Sequence, residues 1–279
     1  MPERFDIGVV GGGAAGLVAA ISGARRGASV TVLERLPQAG KKLLATGGGR
    51  CNLLNDNLAA PAFTSSAPGL VASVLERFGK MEIRAFFETL GLRLQTEEDG
   101  RVYPATNQAS SVLKVLELEA VRLGIPIEAG FEAAGLAASS GGFSVVSAAG
   151  RTVEARTVIL AGGGRSYPAL GSNGSCYGLA GQFGHSLVPP VPSAVPLLAK
   201  DGMCHFLQGQ KLKVRIASLV DGGAGQTAEG ELLFTQYGLS GTAALDVSES
   251  LSIAINREGK KDSAVIVDLV PFMPEADLA

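Results

Sequence analysis

Near its start the chain runs through a short β-branched apolar stretch, Phe5-Asp6-Ile7-Gly8-Val9-Val10, into Gly11-Gly12-Gly13-Ala14-Ala15-Gly16 and then an alanine-rich segment. No other feature constrains the fold as strongly as this G-x-G-x-x-G spacing. Gly11 permits a tight strand-to-helix turn, Gly13 leaves bare backbone for a pyrophosphate, and Gly16 lets the helix pack close to the strand. The helix that opens at Ala14 and Ala15 aims unpaired N–H groups and its positive dipole end at the phosphates. A chain with 38 glycines produces such clusters by chance, so the context decides. The helix runs to a stop at Gly27, and a second apolar strand, Ser29-Val30-Thr31-Val32-Leu33, ends at Glu34. An acid at that tip, about 20 residues beyond the glycines, holds an adenosine ribose through its hydroxyls. The unit therefore reads as a dinucleotide-binding βαβ rather than a bare structural one, and Arg35 joins its site directly after the acid.

A second cluster follows: Gly40-Lys41-Lys42-Leu43-Leu44-Ala45-Thr46-Gly47-Gly48-Gly49-Arg50-Cys51-Asn52. Three successive glycines make a loop on whose backbone amides a flat or anionic group lies. Lys42 and Arg50 add positive charge, and Asn52 both donates and accepts. The bland reading is a flexible loop with solvated lysines. Its position directly after an acid-tipped strand favours the ligand.

Helical periodicity marks residues 68–78, 81–90 and 109–123. Leu92–Leu94 and Arg101–Tyr103 flank the acidic turn Glu97-Glu98-Asp99-Gly100 as a hairpin. Ile125–Glu128 starts a run of short strands, continued by 131–138, 143–147 and 152–155. The fully apolar Thr157-Val158-Ile159-Leu160-Ala161 is a separate strand that returns to the central sheet. Val188-Pro189-Pro190-Val191-Pro192 breaks the composition. The expected fold is α/β: a Rossmann-like FAD/NAD(P)-binding domain with a β-meander over residues 1–190, and a β-rich, barrel-like, incomplete inserted substrate domain over 191–279.

The two glycine clusters together resemble those of the BaiN-like bacterial flavoproteins, also labelled aminoacetone-oxidase-like. The resemblance extends through Gly100-Arg101-Val102-Tyr103-Pro104, Ile159–Pro168 and Gly230-Glu231-Leu232-Leu233-Phe234-Thr235-Gln236-Tyr237-Gly238-Leu239-Ser240-Gly241. It implies FAD bound non-covalently, with the ribose on Glu34 and the pyrophosphate on Gly11, Gly13 and Gly16. Lys42 and Gly47, Gly48, Gly49, Arg50, Cys51 and Asn52 would lie along the pyrophosphate and the flavin side. Ala161, Gly162 and Gly163 match a second cofactor contact, and Ala133 falls where backbone meets adenine. Members of this family run on past the point where this chain stops, so the segment at Pro274–Ala279 reads as the first turn of a helix in a truncated chain. What the resemblance implies is an FAD-dependent oxidoreductase reducing a conjugated or cyclic ketone-type small molecule, with NAD(P)H as a transient electron donor. An amine oxidase, a tRNA-modifying flavoprotein and a non-catalytic nucleotide-binding remnant are the alternatives.

Cys51 has no cysteine partner within residues 52–60, so it reads as a packing residue beside the flavin rather than half of a dithiol. Gly162-Gly163-Gly164 fails as a second dinucleotide fingerprint, because Pro168 follows too soon for a helix. Pro104 and Pro168 restrict Tyr103 and Tyr167 to extended backbone. Each tyrosine then either packs in the fold or faces substrate as an acid, and Arg50, Tyr103 and Tyr167 are the candidate catalytic set. His185 caps a helix end. The 279 residues carry 46% hydrophobic and 18% charged residues, a net charge of −2, and three scattered cysteines without metal-ligand spacing. Nucleic-acid and membrane partners, metals and a secretory leader are accordingly not expected, and a reducing cytoplasm is.

Overall fold

The computed structural model describes residues 4–63, 67–273 and 277, which divide into two compact units, 1–187 and 188–279. In the first unit, β1 (Arg4–Val10) turns through the glycines into α1 (Ala14–Ala24), and β2 (Val30–Glu34) follows. Next come α2 (Lys41–Ala45), a 3-10 turn at Thr46–Gly49, and β3 (Leu54–Asn55). Two amphipathic helices, α3 (Pro68–Arg77) and α4 (Lys80–Thr89), lead to the β4 (Leu94–Thr96) and β5 (Arg101–Pro104) hairpin, which β3 extends to three strands. The unit continues through α5 (Ala109–Arg122), β6 (Ile127–Ala129), β7 (Ala133–Ser139), β8 (Gly142–Ser147), β9 (Thr152–Leu160) and α6 (Ser175–Gly181).

The central sheet has the order β6-β2-β1-β9-β8-β7, with β6, β2, β1 and β9 parallel and β9, β8 and β7 antiparallel. Of its parallel strands β2 is buried along its whole length, which is why it is an unbroken apolar run apart from Thr31 and its terminal acid. On one face Val9 and Val32 pack with Leu17 and Ile21 of α1 and Val112 and Leu116 of α5. Each such large side chain taken out of water contributes about 1.5–3 kcal/mol. On the other, Val10 and Leu33 pack with Phe131, Val145 and Leu179. Glu119 of α5 ties the two helices together: it accepts from Arg25 Nε at 2.8 Å and from Arg122 Nε at 2.6 Å. These guanidiniums, Arg122 foremost, hold its carboxyl at about 2, well below the usual range.

Two sequence expectations change here. Residues 152–155 and 157–161 are one strand: β9 pairs antiparallel with β8 through Thr152–Ala155 and parallel with β1 through Glu154–Leu160. Ile125–Glu128 does not start the meander. It supplies β6, which pairs in parallel with Val32–Glu34 at the sheet edge.

The second unit holds a five-stranded antiparallel sheet. Its elements are β10 (Leu197–Leu198), α7 (Gly202–Phe206), β11 (Lys211–Val220), β12 (Gly223–Thr235), β13 (Gly238–Ser240), α8 (Thr242–Asn256) and β14 (Ser263–Asp268), with strand order β10-β13-β12-β11-β14. Alternate residues Val214, Ile216, Leu232 and Phe234 face Ala243, Ala244 and Val247 of α8. Strand periodicity alone missed α8, which covers the sheet. The helical turn expected at 274–279 lies outside the described residues except for Asp277.

Candidate functional site

The C-terminal ends of β1, β2 and β9 converge on a cleft of about 380 Å³, the crevice where open α/β sheets receive ligands. Its floor is the glycine turn. A side chain at Gly11 (φ 108°) would meet the Ala161 carbonyl oxygen at 2.5 Å, and one at Gly16 would meet the Gly11 oxygen at 1.8 Å. Both glycines are therefore structural requirements of the turn. Gly13 differs: its Cβ would meet nothing within 4 Å, and no side chain caps α1. The bare backbone there and the helix N-terminus, with Gly13, Ala14 and Ala15 all lining the cleft, suit a phosphate.

Glu34 stands at the cleft wall, buried and fixed from two sides. Its Oε2 accepts the Gly12 N–H at 2.7 Å, and its Oε1 accepts the Leu36 N–H at 2.7 Å. Each oxygen keeps a further lone pair, which is what a ribose diol donates to. Beside it Arg35 also lines the cleft, and its Nη1 is buried without a hydrogen-bond partner among the described residues. A buried unpaired donor is costly, so this atom marks a place for an acceptor. The open floor, the fixed acid and the unpaired guanidinium nitrogen together fit an adenosine diphosphate-type ligand.

Lys42 reaches across the cleft, donating from Nζ to the Ser166 oxygen at 3.1 Å, to Ser166 Oγ at 2.8 Å and to Ser172 Oγ at 3.3 Å. Cys51, Asn52, Ala133, Ala161, Gly162 and Gly163 also line it. Burial pushes the thiols of Cys51 and Cys176 up, against weaker hydrogen bonds from Thr46 and the Gly162 backbone, so neither is a ready thiolate. Sequence reasoning missed Ser172 and Cys176. The sequence signal beside them was a glycine at 171 and another at 174, both left-handed in the structure (φ 107° and 77°).

Other expected residues stand elsewhere. Gly47, Gly48 and Gly49 form the left-handed turn next to the cleft and do not line it. Arg50 does not line it either: its Cζ lies 3.9 Å from the Tyr103 ring centroid, its Nη2 donates to Asn107 Oδ1 at 2.7 Å, and it pairs with Glu97. Tyr103 is 3% exposed beneath it. Tyr167 is 72% exposed and, against the extended backbone expected before Pro168, adopts φ 53° and ψ 65°. There the 3-10 turn at Pro168–Leu170 and the Leu170 N–H to Tyr167 oxygen bond at 2.9 Å favour a compact tyrosine over the proline's steric preference. The cleft thus gathers most of the expected cofactor-binding residues and none of the three catalytic candidates.

Among the described residues no group of three or more His, Cys, Asp or Glu side chains could hold a metal ion. No helix among them is long and apolar enough to cross a membrane.

Comparison with known proteins places these features in a family. The HI0933-like protein Rossmann domain matches residues 5–251. A 3-dehydro-bile acid delta(4,6)-reductase of Clostridium scindens is 39% identical over 269 residues, 96% of this chain and 65% of that protein. A ribosomal RNA dihydrouridine synthase of Escherichia coli K12 is 29% identical over 246 residues, 88% of this chain and 61% of that protein. The chain therefore spans somewhat less than two thirds of either relative. Among solved structures, the open conformation of a flavocytochrome c3 fumarate reductase superposes with a TM-score of 0.50 at 18% identity, covering 76% of this chain and 47% of that one, a likeness of fold.

Proposed function

The chain belongs to the HI0933-like Rossmann family, as its resemblance to the BaiN-like flavoproteins implied, and on that premise we propose that it serves as an FAD-dependent oxidoreductase. Its reaction is the net addition of a hydride and a proton across a carbon–carbon double bond conjugated with a carbonyl. Residues 1–190 hold the cofactor and 191–279 serve the substrate. The observation that carries the reading is the doubly clamped Glu34 beside the side-chain-free floor at Gly13.

In this reading Glu34 accepts the ribose hydroxyls, and Gly13, Ala14 and Ala15 present N–H groups to the pyrophosphate. Lys42 exchanges its serine partners for phosphate oxygens, and Arg35 gives its free nitrogen to an acceptor on the adenosine side. Cys51, Asn52, Ala161, Gly162 and Gly163 shape the route toward the flavin. Bound FAD supplies two-electron hydride chemistry, replenished by NAD(P)H, and the protein contributes orientation and electrostatics. The substrate class draws on the relatives' names: a delta(4,6)-reduction in a 3-dehydro compound and the formation of dihydrouridine both saturate a double bond conjugated with a carbonyl. A small cyclic enone in a cytoplasmic setting fits best. The Escherichia coli relative favours a second reading, RNA as the substrate carrier, against which the net charge of −2 speaks.

Purified chain incubated with FAD should retain flavin absorbance through gel filtration, and NADH or NADPH should bleach it. Glu34→Ala should weaken FAD binding by about 1.5–3 kcal/mol, the value of a hydrogen bond to a charged group. Protein that takes up no FAD would sink the reading for this chain, and flavin that oxidises amines would replace reduction with oxidation. RNA affinity that falls steeply with salt would move the substrate to RNA.

A further inference from the structure

The residue between the cleft-lining Cys51 and the glycine triplet has a different task from its neighbours. Gly47, Gly48, Gly49 and Cys51 have φ of 56°, 66°, 87° and 60°, while Arg50 alone is right-handed at −96°. Glycine tolerates the left-handed region, but Cys51 does so only where its surroundings hold it. Within the run itself two backbone bonds close the turn, a long one from the Arg50 N–H to the Gly47 oxygen at 3.3 Å and one of ordinary length from the Cys51 N–H to the Thr46 oxygen at 3.0 Å.

Support comes from the β4–β5 hairpin and the turn after it. The Arg50 guanidinium stacks on the Tyr103 ring, donates from Nε (3.1 Å) and Nη2 (2.7 Å) to Asn107 Oδ1, and pairs with Glu97. The same ring lies under the turn itself, with Tyr103 Cε1 3.3 Å from where a Gly47 side chain would begin. Asn107 is also left-handed, at φ 54°. One planar side chain is thus gripped on its face by an aromatic ring and along its edge by an amide and a carboxylate, a geometry a lysine ammonium cannot reproduce. Arg50 is not among the residues that line the cleft, whereas Cys51 and Asn52 are.

We propose that Arg50 is a positioning residue: locked on Tyr103, Glu97 and Asn107, it holds the left-handed Gly47–Cys51 turn so that Cys51 and Asn52 face the ligand. It is not itself a catalytic acid or a phosphate ligand. The proposal rests on the dinucleotide reading of the cleft only for its ligand-binding consequence.

The test follows the alkylation of each cysteine by N-ethylmaleimide with peptide mass analysis, in the full chain without added cofactor. Cys204, buried in the other unit, is the internal control for global unfolding. Arg50→Ala and Arg50→Lys are expected to speed Cys51 labelling about tenfold, equivalent to about 1.4 kcal/mol of lost local stability, with Cys204 unchanged. Glu97→Gln gives a smaller rise, and Tyr103→Phe, which keeps the ring face, preserves the protection. With FAD present, Arg50→Lys lowers affinity and alters the visible circular dichroism of bound flavin without lowering the melting temperature. Wild-type labelling of Cys51 in Arg50→Ala overturns the proposal, as does a parallel rise at Cys204. Failure of wild-type protein to bind FAD would sink the dinucleotide reading and leave the labelling result to decide this one.

Discussion

Replacing Gly13 by serine should stabilise the protein and weaken its ligand binding in the same stroke. Gly13 is the N-cap of α1, with φ −74° and ψ −177°, a conformation any residue adopts, and its Cβ has 4 Å of open space. A serine there costs no strain, supplies the missing side-chain cap and restricts the unfolded chain. Together these effects are worth about 1 kcal/mol, a rise of about 2–4 °C in melting temperature for a unit of this size. In the proposed reading the same side chain would occupy the space of the pyrophosphate and compete for the helix N–H groups. Overpacking of that kind costs about 1–3 kcal/mol, or about 5- to 150-fold in FAD affinity. The assay is a pair of melts, without FAD and with FAD at about 100 times the wild-type Kd, where wild type should gain about 2.7 kcal/mol. The two proteins' curves should cross: the variant melts higher alone and gains much less from FAD. Gly16→Ala is the contrast, because its Cβ would sit 1.8 Å from the Gly11 oxygen and the turn itself must shift. Undiminished FAD stabilisation in Gly13→Ser would show that no phosphate lies on this turn, and a melting loss like that of Gly16→Ala would show that the open space is not there.

Two further outcomes test the frame around the cleft. Glu119 has its carboxyl lowered from 4.5 to about 2, so its contribution is complete above about pH 4.5 and disappears as pH falls toward about 2; Glu119→Gln should flatten the acid side of a melting-temperature-versus-pH curve, and an unchanged slope there would remove the Arg25–Glu119–Arg122 link from the account. A side chain at Gly162 would meet Cys176 Sγ at 2.4 Å, so Gly162→Ala should lose about 1–3 kcal/mol in urea unfolding. Adding Cys176→Ala should restore most of that loss, and simple additivity of the two changes would refute the contact.

The first βαβ unit was legible in the sequence because each of its signals is local. Gly11, Gly13 and Gly16 sit at fixed offsets, β2 is one apolar run, and Glu34 closes it. Partner choice was not legible. Ile127–Ala129 is a short strand whose composition suits either a meander or a parallel edge, and only its pairing with Val32–Glu34 decides. Glu154 and Arg156 interrupt β9 with charge at the point where its partner changes from β8 to β1, so one strand read as two. The helix α8 carried its signal at Ala244, Val247, Leu251 and Ala254, spaced for one helical face, but its serines and β-branched residues resemble the neighbouring strands. At the site, charge type and the family resemblance suggested that Arg50 meets the ligand. Which way it turns depends on Tyr103 and Asn107, more than 50 residues away in the chain, and no local pattern encodes that.

The unbroken β9 has a further consequence for how such a chain tolerates change over generations. Its first residues are stitched to the antiparallel β8, and its last lead directly into Ala161, Gly162 and Gly163 at the cleft. The hairpin turns at Ser140–Gly141 and Ala148–Gly150 stand outside the paired residues of β9, so residues gained or lost there leave its register with β1 intact. Inside Thr152–Leu160 a single inserted or deleted residue would swap every later side chain to the opposite face and carry the glycines off the Gly11 turn. The strand acts as a ruler of fixed length. Drift in residue number should therefore accumulate in the outlying turns, while the nine positions of β9 keep their count.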